Sequence, residues 1–167
     1  TQTTNAQGIG TVGSWTIGTG AGTEYSVTAT APGLSGSPVT FSTTATAGTA
    51  GRLAITVQPA SSATSGVPLT TQPRVQLLDQ NDNPVLQSGI PVTATIATGP
   101  GGSLGGATVN TNASGVAVFS SLAITGPSGD YTLNFAGTSI PAVTSGTITL
   151  GAGAATKIAI IGAPPST

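Results

Sequence analysis

Asp79 and Asp82 are the two carboxylates that lie closest together in this chain. A pair of acids can divide general-acid and general-base work in glycoside cleavage when the carboxyls face each other across a sugar, about 5 to 10 Å apart. These two sit in the single stretch Asp79-Gln80-Asn81-Asp82-Asn83-Pro84, with no aromatic platform beside it. They read as Asx side chains folding a tight turn ahead of Pro84. The alternation Asp79, Asn81, Asn83 also imitates the opening of a calcium loop, which makes these three the candidate metal ligands. Pro84 stands where such a loop places glycine, and no glutamate follows at closing distance. A turn without metal is therefore the expectation. His and Cys are both absent, which removes the commonest base, nucleophile and metal ligands. No catalytic residue, no cofactor and no enzymatic activity are expected.

The other residues with chemical character read as structural. Trp15, the lone tryptophan, aligns with Leu122 of a second copy described below, which suits a core or interface position better than a sugar-stacking one. Tyr25 and Tyr131 each follow a Gly-rich turn, the placement of a tyrosine corner in sandwich folds. Asn112-Ala113-Ser114 matches a glycosylation sequon, but its counterpart Asn5-Ala6-Gln7 does not, so the shared Asn is read as a turn residue. Lys157 has Arg52 as its counterpart, which argues against a dedicated isopeptide lysine.

These residues are positioned by a repeat. Thr4-Asn5-Ala6-Gln7-Gly8-Ile9 recurs as Thr111-Asn112-Ala113-Ser114-Gly115-Val116, a spacing of 107 residues. Arg52-Leu53-Ala54-Ile55 recurs as Lys157-Ile158-Ala159-Ile160, a spacing of 105. A period near 105 is the size of one small β-sandwich domain. The expected organisation is the C-terminal half of one repeat over 1–50, a complete repeat over 51–156, and over 157–167 the first strand of a following repeat or a donor-type tail. Apolar residues alternate with Thr and other polar residues throughout, as in Val92, Ala94 and Ile96 or Tyr131, Leu133 and Phe135, which indicates half-buried antiparallel strands. The inward set is expected to be Leu53, Val75, Leu77, Val92, Ile96, Val116, Val118, Tyr131, Leu133 and Phe135. The fold class is all-β: an immunoglobulin-like antiparallel β-sandwich in tandem.

The run Val75-x-Leu77-x-Asp79-x-Asn81-x-Asn83-Pro84-Val85, then Gly89-x-Pro91-Val92-Thr93-Ala94, then Gly129-Asp130-Tyr131-Thr132-Leu133, resembles bacterial immunoglobulin-like domains of the invasin and intimin type. The resemblance covers the complete repeat and the half repeat. It implies rigid spacers in surface adhesins, fibres and multidomain secreted proteins.

Only 4% of residues are charged, against about 25% in ordinary soluble domains. There is no basic patch for nucleic acid and no basic amphipathic helix for a membrane surface. No apolar run approaches the roughly 18 residues of a membrane span. Neutral Thr/Ser surfaces suit an assembled fibre, a coat or a stalk better than a free monomer. The expectation is a structural subunit of an extracellular or cell-surface filament or stalk, self-associating head to tail or through tandem neighbours. The alternative is a spacer, adhesive or carbohydrate-binding module of a larger secreted adhesin or enzyme, with host or surface glycans as partners. Two arrangements satisfy both ends of the chain: a longer covalent array, or a tail strand from one subunit added to the open half-domain of the next. Either way, Tyr25, Val27, Phe41, Ile158 and Ile160 are the expected interface residues.

Overall fold

Apolar residues at every second position commit the chain to strands, and no helix occurs among the described residues. The computed structural model describes residues 2–155 and 157–158. The chain divides into two compact units, Thr1–Ala47 and Gly48–Thr167.

The first unit contains β1 (Glu24–Ala29) and β2 (Val39–Thr44), paired antiparallel. Tyr25 lies opposite Thr43, Val27 opposite Phe41 and Ala29 opposite Val39. Directly opposed residues share a face, so one face of this ribbon collects Tyr25, Val27, Ala29, Val39 and Phe41. The other face is hydrophilic, and there the Oγ atoms of Thr28 and Thr40 hydrogen-bond at 3.3 Å.

The second unit runs through β3 (Arg52–Val57), β4 (Ser62–Thr64), β5 (Arg74–Leu78), β6 (Pro91–Thr98), β7 (Ser103–Gly105) and β8 (Thr108–Asn110). It continues through β9 (Val116–Val118), β10 (Ala123–Thr125), β11 (Gly129–Gly137), β12 (Ile140–Thr144) and β13 (Ile148–Gly151). One sheet has the order β3-β5-β9; the larger has the order β4-β13-β11-β6-β8, with β12 also on β11. β10 and β7 form a separate pair. β4 adds parallel to β13 while β3 pairs antiparallel with β5, so one N-terminal stretch touches both sheets. The fold is an Ig-like β-sandwich.

The core lies between the two sheets. Leu53, Val75, Leu77 and Ala117 come from the smaller sheet; Val92, Ala94, Leu133, Phe135, Ile148 and Leu150 come from the larger. Phe119 meets Phe135 edge to face, with centroids 5.3 Å apart. The outer faces carry neutral cross-strand hydrogen bonds where many proteins carry charges. Thr98 pairs with Thr132 at 2.7 Å and Thr93 with Thr108 at 3.1 Å. One charged group joins them, the Asp130 carboxylate, which accepts from the Thr149 hydroxyl at 2.7 Å.

Three of the expected inward residues need correction. Val118 is exposed and Val116 half-buried, while Ala117 and Phe119 are buried. The ladder gives the reason: Ala117 lies opposite Val75, which faces the core, so Val116 and Val118 must fall on the other face with Gln76 and Arg74. Side-chain bulk favoured the valines, but register decides the face. Ile96 is half-buried, at the point where β6 slips register against β11. Leu53, Val75, Leu77, Val92, Tyr131, Leu133 and Phe135 are buried as expected.

Candidate functional site

Asp79 directly follows β5 and is buried, with 3% of its surface exposed. Its Oδ1 accepts the Asn81 amide at 2.8 Å and the Asn83 amide at 2.9 Å. Its Oδ2 accepts the Gly48 amide at 2.8 Å and the Asn83 side-chain amide at 2.9 Å. Those bonds, the Asn83 side chain first and the Gly48 amide next, hold the carboxyl at a pKa of about 2, against the opposing effect of burial. Both oxygens are thus occupied by N–H donors, and a cation would have to displace them. Asn81 is exposed, whereas Asp79 is buried. Among the described residues no three of His, Cys, Asp or Glu gather into a metal-binding group. Asp82 sits outside the loop's hydrogen-bonded centre and forms an ion pair with Arg52; both partners are more than half exposed, a geometry worth about 0–1 kcal/mol.

The loop recurs. In Asn5, Asp79 and Asn112 alike, the side-chain Oδ1 accepts the amides two and four residues on. In each, the backbone N–H also donates to the carbonyl four residues on: Asn5 to Ile9, Asp79 to Asn83 and Asn112 to Val116. The fourth residue is left-handed each time: Gly8 at φ 78°, Asp82 at φ 62° and Gly115 at φ 71°. Asx side chains mimic a backbone turn and tolerate such geometry. The sequence comparison matched Asn5 with Asn112 but missed Asp79, because Asp82 replaces the expected glycine. The visible signal was the spacing from an Asx residue to a left-handed position three residues later.

The tyrosines also correspond. The Tyr131 hydroxyl lies within hydrogen-bonding distance of the carbonyls of Pro127, at 2.8 Å, and Gly101, at 2.7 Å, a tyrosine corner. The Tyr25 hydroxyl accepts the Gly20 amide at 3.2 Å. Tyr131 is wholly buried; Tyr25 is only partly so.

A family model described as SMCHD1 Ig-like domain 6 matches residues 52–150, the stretch that builds both sheets of the second unit. The chain belongs to this Ig-like domain family. Ig-like domains are generally non-catalytic. No curated protein matches the chain.

Three of the five expected interface residues of this Ig-like chain are exposed, and Tyr25 is half-buried. Val27 is 40% exposed, Phe41 55% and Ile158 100%. Ile160 lies outside the described residues. Seven of the eleven exposed large apolar side chains among the described residues belong to the first unit, including Ile9, Trp15 and Val39, so apolar surface is concentrated there. Sequence reasoning named Phe41 and Val27. It left out Val39, which extends the same face opposite Ala29.

Proposed function

We propose that this chain is a non-enzymatic structural subunit of an extracellular filament or surface stalk, built from tandem Ig-like domains of the bacterial invasin and intimin type. The observation that carries the reading is the contrast in burial between equivalent strands. In the second unit, Tyr131, Leu133 and Phe135 of β11 are covered by an opposing sheet. In the first unit, Tyr25, Val27 and Ala29 of β1 hold the matching positions and are not buried. A lasting apolar face of this kind marks an interaction surface. The hydroxyl ladders on the outer faces support a role in a packed assembly, where solubility does not depend on charge.

A carbohydrate-binding role would call for stacked exposed aromatics; Trp15 and Phe41 are exposed, but the ring pair found among the described residues, Phe119 with Phe135, is buried. The test is electron microscopy of producing cells labelled with antibody against residues 51–156. Label along surface filaments or stalks supports the reading. Label confined to the cell interior, or to dispersed secreted protein, overturns it.

A further inference from the structure

We infer that Asp79 is a positioning residue for the joint between the two units: its Oδ2 anchors the connecting segment at Gly48 and confines the joint's freedom to Thr46 and Ala47. Such an anchor acts whether or not the chain assembles into filaments.

The three Asx turns supply the control. Each folds its own loop through Oδ1, which accepts the amides two and four residues on. Asn5 and Asn112 do this with an uncharged amide, so the turn itself has no need of a carboxylate. Asn5 and Asn112 are exposed, whereas Asp79 is buried. A buried charge is costly unless hydrogen bonds offset it, so aspartate here calls for a second task. Its Oδ2 accepts the Gly48 amide at 2.8 Å, from 31 residues away. An asparagine that kept Oδ1 for the turn would face Gly48 with an N–H, donor against donor. The Asn83 side chain reaches either oxygen, Oδ2 at 2.9 Å and Oδ1 at 3.2 Å, whereas Gly48 meets Oδ2 alone.

The connecting segment is held from both sides. On the first unit, the Gly22 amide donates to the Ala45 carbonyl at 2.8 Å, and the Ala45 amide donates to the Thr23 carbonyl at 3.1 Å. On the second, the Gly51 amide donates to the Leu78 carbonyl at 2.9 Å, just ahead of β3. With those bonds alone, the loose stretch would run from Thr46 to Ala50. Its Thr, Ala and Gly residues carry little bulk to stiffen it. The bond from Gly48 cuts that stretch to Thr46 and Ala47. A carboxylate suits the task, because a charge-assisted hydrogen bond is stronger than a neutral one.

The test is nuclear magnetic resonance on the full chain, read as amide exchange and backbone relaxation. In the parent, Gly48 should be as rigid as β5, with fast motion confined to Thr46 and Ala47. A Gly48 as mobile as those two overturns the assignment before any variant is made. Asp79→Asn should speed exchange at Gly48 by about tenfold or more, while the Asn81 and Asn83 amides stay protected as their counterparts after Asn112 are. The first unit should then reorient more independently of the second. Asn83→Ala weakens the loop but leaves Oδ2 to Gly48, so Gly48 should remain rigid. Unchanged exchange at Gly48 in Asp79→Asn overturns the anchor. Release of Gly48 together with Asn81 and Asn83, or its release in Asn83→Ala, shows that the aspartate serves the loop as a whole and also overturns it. A freed Gly48 with unaltered tumbling of the first unit overturns the role in the joint.

Discussion

The turn at Asn5 and the turn at Asn112 make the same hydrogen bonds and place glycine at nearly the same left-handed angle, yet their surroundings differ. Nothing lies within 4 Å of where a side chain on Gly8 would begin, whereas at Gly115 that atom would collide with the Val85 carbonyl oxygen. The same contrast runs from Val27, exposed on β1, to Leu133, wholly buried on β11. Local hydrogen bonding therefore shapes both turns without tertiary help, but a strand pair gains a core only when a second sheet lies over it. The lesson is that repeat sequence specifies local geometry in each unit, and stability depends on which partner strands are present.

Substitutions at matched positions test that division. Leu133→Ala should destabilise the second unit by about 2–5 kcal/mol, because a fully buried side chain leaves a cavity. Val27→Ala should change the unfolding free energy of the monomer by less than about 1 kcal/mol. Equal costs at the two sites would break the comparison. Next in size, Gly115→Ala should cost about 2 kcal/mol or more, from backbone strain joined to the clash with Val85. Gly8→Ala should leave the melting temperature of the second unit unmoved.

Asp79 provides a pH test. Its folded pKa is about 2, below the usual 3.8, so the carboxylate's contribution is present above pH 4 and is lost as pH falls from about 4 through about 2. Thermal melting across that range should show the loss. Asp79→Asn should flatten it, while keeping an Oδ1 for the Asn81 and Asn83 amides, as Asn112 does in its own turn. The smallest expected effect is that of a chelator. Removing calcium should leave the melting temperature almost unchanged, since N–H donors already occupy both Asp79 oxygens. A fall of many degrees would restore Asp79, Asn81 and Asn83 as metal ligands.

Much of this was legible in the sequence because it is periodic or local. Alternation gave β3, β5, β6 and β11, and the Asx and Gly-Pro clusters gave the turns between them. What escaped depended on neighbours far along the chain. The face of β9 is set by pairing with Val75, and Ala117 announces no burial by its size. The clasp from Gly48 to Asp79 joins residues 31 apart, and no spacing rule points to it. β12 and its left-handed Ser139 corner arise from pairing with β11, where the closing strand is split into two pieces that β2 joins without interruption. Phe119, Leu122 and Ile124, all fully buried, lie in a stretch of short strands with too few residues to display a period.

Hydrogen exchange of the β1 and β2 amides as a function of protein concentration tests the central claim most directly. These amides belong to an isolated two-stranded ribbon, so in dilute solution they should exchange far faster than those of β11. The account predicts that raising the concentration slows exchange in β1 and β2 while leaving β11 unchanged. Exchange in these strands that is independent of concentration would contradict it.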